Sequence, residues 1–212
     1  MTRVAVKTKY ESASQAASGT LTVGAGELKL KASCSDSTFL KGVSLHGVSL
    51  GIEKPGAFLI DYDLQHQAAR FQFMTGATVA GKSVKLTYIH PQKRNATLLE
   101  ASLALDSRNK VTAKYSFASE HGHLKYTYVH GSGTTLEPAY DFHTQGWHFA
   151  IGRKFGKHDH TKTVYDGHVK TVGLEWTRES KEYGHFKVTA SVPVEDYKAA
   201  KVVAEKTWSV DI

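Results

Sequence analysis

Apolar side chains recur at every second residue through most of this chain, and no segment holds the 3.6-residue period of an amphipathic helix. Val4, Val6 and Tyr10 oppose Lys7 and Lys9. Leu28, Leu30 and Ala32 alternate with Lys29, Lys31 and Ser33. The same pattern runs through Phe58–Asp63, Val84–Tyr88, Leu99–Asp106, Lys110–Phe117, Leu124–Tyr128, Val172–Trp176 and Phe186–Val192. Strands with one apolar and one wet face give this signature. Asp196–Ala204 is the one short helical candidate. Turn signals separate the runs: Gly24-Ala25-Gly26, Lys54-Pro55-Gly56, Pro91–Asn95, Asp106–Asn109, Glu120-His121-Gly122, Gly131-Ser132-Gly133, Thr144-Gln145-Gly146 and Asp166-Gly167. Connections this short join antiparallel neighbours, since parallel strands need long crossovers.

The expected architecture is therefore all-β, a single domain over residues 1–212. A strand and its turn take about 15 residues in a membrane barrel, which divides the chain into roughly 14 strands, with a range of about 12–16. One sandwich of that size would be unusually large, and an open sheet would curl or split; closing the sheet removes its edges. Mean hydropathy is −0.34 with 41% apolar residues, and no apolar run approaches the length of a spanning helix. A β-barrel can nonetheless cross a bilayer while polar on average, because only alternate side chains meet lipid. The start of the chain has neither a secretory apolar core nor transit-peptide composition, so no targeting segment is expected there.

Period two does not say which face is inside. The wet face carries many small and charged residues and few bulky aliphatics, as a water-filled lumen would. Aromatics placed near strand ends (Tyr88, Tyr128, Phe142, Trp147, Phe155, Trp176 and Trp208) suit the interfacial girdles of a membrane barrel. On this reading the lumen is lined by Lys7, Lys9, Lys29, Lys31, Lys85, Lys110, Lys114, Lys125 and Lys187, and by Asp61, Asp63, Glu100, Glu137, Glu175 and Glu205. A net charge of +7 agrees with anionic permeants. Lys206 and Arg153 fit poorly, because alternation puts both on the apolar face; either the register shifts or they lie at a rim. The competing reading is a soluble barrel or sandwich with the apolar face inward, binding a small apolar ligand.

Glu53-Lys54-Pro55-Gly56, Arg70-Phe71-Gln72-Phe73-Met74, Leu86-Thr87-Tyr88-Ile89-His90, Leu124–Gly131 and Gly173-Leu174-Glu175-Trp176 together resemble the plastid outer-envelope pore proteins of about 24 kDa. No single piece carries chemistry; their number and collinearity over nearly the whole chain carry the resemblance. It implies a voltage-dependent, high-conductance and weakly selective channel in the outer membrane of chloroplasts and other plastids. It further implies phosphorylated sugars, dicarboxylates, phosphate, ATP and amino acids as permeants, and assembly into homo-oligomers. Partners are then the lipid bilayer and small anionic or zwitterionic metabolites.

Other motifs carry less. Gly47-Val48-Ser49-Leu50-Gly51 matches a hydrolase elbow, but that chemistry needs a helix after the serine, and here a strand follows. An esterase using Ser49 is the weakest alternative. His121-Gly122-His123 and His158-Asp159-His160 are read as turn histidines without a third metal ligand. They would add positive charge below about pH 6.5. One cysteine, Cys34, excludes an internal disulfide. Gly24-Ala25-Gly26 is no nucleotide fingerprint, and the lysines are dispersed rather than striped, so neither cofactor nor nucleic acid is expected.

Overall fold

The computed structural model describes residues 3–40, 42, 44–180 and 184–211. Sixteen strands form one closed antiparallel sheet. They are β1 (Arg3–Glu11), β2 (Ala16–Ala25), β3 (Leu28–Ser35), β4 (Ser49–Lys54), β5 (Phe58–Asp63), β6 (Ala68–Val79), β7 (Lys82–Pro91) and β8 (Leu98–Ala104), followed by β9 (Asn109–Ser116), β10 (His121–Val129), β11 (Thr134–Asp141), β12 (Gly146–Phe155), β13 (Asp159–Asp166), β14 (Thr171–Ser180), β15 (Gly184–Pro193) and β16 (Lys201–Asp211). Each strand pairs with its sequence neighbours, and β1 pairs with β16 from Arg3↔Asp211 to Glu11↔Val203. We call the end where β1 starts and β16 finishes the near mouth, and the opposite end the far mouth.

Sixteen strands stand at the top of the expected range. Arms are shorter than assumed, because β4 and β5 have only 6 residues each and many turns are tight. Near-mouth turns such as those at Gly26 and Gly56 use glycine at positive φ, where no Cβ obstructs the left-handed backbone. Five far-mouth turns instead end on Gln15, Gln67, Glu120, Gln145 and Lys170, all with φ near 50°. The turns ending on Gln15 and Gln67 contain no glycine, so a search for glycine misses them, whereas Gly122, Gly146 and Gly167 mark the other three. Asp106, in a near-mouth turn, accepts from the backbone N–H groups of Arg108 and Asn109; the Arg108 donor first, then Asn109, holds its carboxyl below the usual range.

Three local expectations change. His121, Gly122 and His123 begin β10 instead of forming a turn, and Asp159 and His160 begin β13. Asp196–Ala204 is not a helix: a 3-10 turn at Tyr197–Ala199 leads directly into β16. Pro138 lies within β11, where it lacks an N–H for the ladder. Pairing to β10 skips from Lys125↔Ala139 to Tyr128↔Leu136 around it.

The barrel has no apolar core. Among the described residues the buried hydrophobic side chains are Ala139 and Ala150 alone, and no large side chain is fully buried. Phe149, Ile151 and Leu174 are 50%, 55% and 51% exposed. In water that pattern would leave most of the apolar surface unburied; against acyl chains it is the favourable arrangement. The inner-face residues Thr87, Thr112, Thr127 and Asp141 are the buried polar groups of the wall, so no apolar interior exists for the soluble ligand-binding alternative.

The aromatics cluster toward both ends. Tyr140 packs on Trp147 and Phe142, with ring centroids 4.8 and 5.1 Å apart, at the far mouth. Trp176 packs on Phe186 at 5.6 Å and donates its indole N–H to Asp159 at 3.0 Å, on the near half. Phe142, Trp147, Phe155 and Tyr128 lie at strand ends or in a turn, whereas Tyr88 and Trp176 sit several residues in. Arg153 is near the end of β12, with its guanidinium 5.6 Å from the Phe155 ring. Lys206 keeps its register opposite Thr8 and Phe186. It turns its ammonium over the Trp208 ring at 4.7 Å, toward the near mouth.

Which face meets lipid sets the cost of a charge. Val188→Arg on β15 should lower unfolding free energy in liposomes by about 2–4 kcal/mol, whereas Thr189→Arg, one residue on, should cost under about 1 kcal/mol. Urea titration of the refolded barrel measures both.

Candidate functional site: the inner face

The ladder register carries one set of side chains around the whole barrel. Lys7 stands opposite Thr20, Thr20 opposite Ser33 and Ser33 opposite Ser49, which faces Asp63. Further round, Lys85, Ser102, Thr112, Lys125, Ala139, His148 and Asp166 form one row. Traced in this way, Lys7 and Lys9 (β1), Lys29 and Lys31 (β3), Asp61 and Asp63 (β5), Lys85 (β7) and Glu100 (β8) occupy the same face. Lys110 and Lys114 (β9), Lys125 (β10), Glu137 (β11), Glu175 (β14), Lys187 (β15) and Glu205 (β16) occupy it too. Sixteen is even, so the parity closes without a seam at β1–β16. The face is concave: Arg3, Lys29, Lys31, Glu53 and His185 line a cavity of about 990 Å³ at the near mouth.

This face also carries groups that the sequence reading did not name: Arg3, Glu53, Arg70, Asp141, Lys154, Lys162, Asp166 and Glu179. Arg70 and Lys162 belong to β6 and β13, whose alternation was not picked out. Arg70 lies between Phe71 and Ala69, and Lys162 between Thr161 and Thr163, so period two was available but weak in β13.

Within the wall, charges meet across strands. Lys7 pairs with Glu205 at 2.8 Å, Lys31 with Glu53 at 2.5 Å, Arg70 with Asp61 at 3.5 Å, Lys114 with Glu100 at 2.9 Å and Lys187 with Glu175 at 2.7 Å. Glu137 holds both Lys125, at 3.8 Å, and Lys162. The Lys162 contact runs from β13 to β11 past Gly152 of β12, which stands opposite Lys162 in the ladder. A Cβ at Gly152 would lie 3.1 Å from His160 Nε2, so the absent side chain keeps that crossing open. By contrast, Lys9, Lys29, Lys85, Lys110 and Lys154 make no ion pair among the described residues. Hydroxyls fill the intervals, as in the pairs Thr20–Ser33 at 2.9 Å and Ser102–Thr112 at 3.0 Å.

Phe39, which follows the 3-10 turn after β3, borders a hollow of about 490 Å³ with Tyr10, Ala17, Cys34 and Phe186 of the outer face. Ser49 opens β4 and is followed by strand, so no nucleophile elbow forms there. Among the described residues no group of three His, Cys, Asp or Glu is placed to hold a metal.

The Glu137 side chain is only 15% exposed and holds two lysines, so removing its charge leaves partly desolvated cations without a partner. Glu137→Gln should therefore cost about 1–3 kcal/mol in a urea titration. The same variant leaves Lys125 and Lys162 without their carboxylate, and bilayer reversal potentials should move toward anions.

Comparison with known proteins agrees with this geometry. A family model described as outer envelope pore protein 24 matches residues 2–211. Outer envelope pore protein 24B, chloroplastic, of Arabidopsis thaliana is 38% identical over 211 residues, covering 99% of each chain. Outer envelope pore protein 24, chloroplastic, of Oryza sativa subsp. indica is 40% identical over 223 residues, covering 99% of this chain and all of the relative. Among solved structures, a triple mutant of Rhodopseudomonas blastica porin superposes with a TM-score of 0.57 at 10% identity, covering 100% of this chain and 99% of the porin. Salmonella typhi OmpF in complex with daunomycin gives 0.51 at 10% identity, covering 99% and 96%. At such identities the porins share the fold alone.

Proposed function

The chain belongs to the outer envelope pore protein 24 family and is a β-barrel channel of the chloroplast outer membrane, and we propose that it passes small anionic and zwitterionic metabolites by diffusion through a lumen lined with lysines and carboxylates. Phosphorylated sugars, dicarboxylates, phosphate, ATP and amino acids form the permeant class. Homo-oligomeric assembly is part of the same reading and rests on the family resemblance.

The observation that carries the proposal is the division of the wall into paired and unpaired charge. Most wall carboxylates are held by lysine, arginine or histidine, while Lys9, Lys29, Lys85 and Lys110 are not neutralised by an ion pair. Dispersed positive charge lowers the barrier for phosphate and carboxylate groups without gathering them into a trap, and release is as necessary as entry. Sixteen strands about 4.8 Å apart and tilted about 40° enclose a backbone cylinder about 30 Å across. That is wide against a screening length of about 8 Å at physiological salt, so selectivity should be weak and should fade as salt rises.

Planar-bilayer recording tests this. Reversing Lys29, Lys31, Lys114 and Lys125 to Glu should move the reversal potential toward cations. Each single reversal (Lys85→Glu, Lys110→Glu, Lys31→Glu or Lys114→Glu) changes the wall charge by the same amount and should move it in the same direction. Unchanged potentials throughout would remove these residues from the permeation route.

A further inference from the structure

The apolar surface of the barrel ends at different levels at its two mouths. At the near mouth the last exposed bulky side chains, Val79 of β6, Phe155 of β12 and Val210 of β16, still belong to strands. The described near-mouth turns (residues 26–27, 55–57, 80–81, 105–108, 130–133 and 156–158) hold one large hydrophobic residue, Leu105, and it is half-buried. At the far mouth, exposed bulky residues continue past the strands. They are Phe39, Leu40 and Leu45 between β3 and β4, Phe117 after β9, Phe142 after β11, Val169 before β14, and Val194 and Tyr197 after β15. Among the described residues, every exposed large hydrophobic side chain outside a strand is at this end.

Three of these side chains have a direction fixed by the ladder. The N–H groups of Phe117, Phe142 and Val194 still donate to the neighbouring strand or turn, to the carbonyls of Thr97, Gly122 and Lys170 at 2.9, 2.9 and 2.8 Å. Alternation therefore runs one residue past each strand. It puts Phe117 on the side of Tyr115, Phe142 on that of Tyr140 and Val194 on that of Val192, which is the outer face. Ring packing agrees: Phe117 meets Tyr115 edge-on at 5.0 Å, and Phe142 meets Tyr140 at 5.1 Å. Phe142 lies across Gly122, where a Cβ would stand 3.4 Å from the ring. Phe39 reaches the outer face too, at the hollow beside Tyr10 and Phe186. The surface that meets acyl chains is thus continuous with the far-mouth turns. We propose that the far rim is an anchoring collar seated at the boundary between acyl chains and lipid headgroups, while the near-mouth turns stand in water. The inference rests on the outer face meeting lipid.

The charges of the far turns fit that depth. Glu120, Lys170 and Glu195 come after Phe117, Val169 and Val194 in the chain, and Lys170 pairs with Glu195 at 2.6 Å, both well exposed. Asp36, Lys93, Arg94, Asp196 and Lys198 add both signs. A boundary layer accepts this mixture: rings and branched aliphatics lie against the chains, and long cationic side chains reach the phosphates with their stems on apolar surface. Bulk water would instead meet an exposed apolar ring with nothing to cover it. The near-mouth turns, rich in glycine and polar side chains, have no such surface to cover.

The test uses the full chain refolded in phosphatidylcholine liposomes, with Cys34→Ser and one new cysteine carrying an environment-sensitive fluorophore. Ala118→Cys reports on the far rim, Ser107→Cys on a near-mouth turn and Leu174→Cys on the middle of the outer face. Lipids bearing a nitroxide high on the acyl chain should quench the Ala118→Cys probe about twofold or more over the Ser107→Cys probe, and aqueous iodide should show the reverse order. Adding Phe117→Ser, Phe142→Ser and Val194→Ser together should remove most of the lipid quenching at Ala118→Cys and leave Ser107→Cys unchanged. Equal iodide access at the two mouths overturns the collar. So does a far-rim probe shielded from iodide but untouched by nitroxide lipid, which would mean that protein covers it. A Leu174→Cys probe that deep nitroxide lipids fail to quench counts instead against the lipid-facing outer surface, and the collar falls with it.

Discussion

Everything in this barrel depends on the main-chain ladder closing between β1 and β16. Nine residue pairs join the first strand to the last, and no strand is left with an unpaired edge. A membrane interior has no water to satisfy exposed N–H and C=O groups, so closure is the condition for crossing it at all. Closure also replaces what a core normally supplies. With two alanines as the only buried hydrophobic residues described, side-chain burial inside the protein cannot hold the fold; the ladder and the surrounding apolar phase do.

The same closure organises the chemistry. Because the register passes unbroken around an even number of strands, every second residue of every strand shares one compartment. Lys162 and Glu137, on strands that are not neighbours, meet over a glycine only because concavity brings the inner side chains together. On the convex side the same curvature spreads side chains apart, so Lys206 and Arg153 find aromatic rings on their own strands instead of carboxylates.

The two ends carry different pairings. Lys29, Lys85, Lys110 and Lys154, which make no ion pair among the described residues, lie on the near halves of β3, β7, β9 and β12, while Lys9 lies on the far half of β1. Histidine-held aspartates, Asp63, Asp141 and Asp166, close the strands at the far mouth. The far-mouth aspartates are fixed first by turn geometry, each capping backbone N–H groups, and their second oxygen is left to whatever side chain the neighbouring strand presents. Turn-making and electrostatic roles therefore fall on the same residue.

Alternation alone made the β class, the antiparallel order and the two unlike faces legible, since side-chain direction in a strand follows from sequence parity. The fifteen charged residues chosen by parity share one face for that reason. Parity could not count strands whose turns lack glycine, as at Gln15 and Gln67, and it read His121 and His123 as turn residues although they begin β10. Nor could it pair charges. That Lys85 and Lys110 stand alone while Lys31 and Lys114 are neutralised depends on stagger between strands distant in sequence, and only the closed sheet sets that stagger.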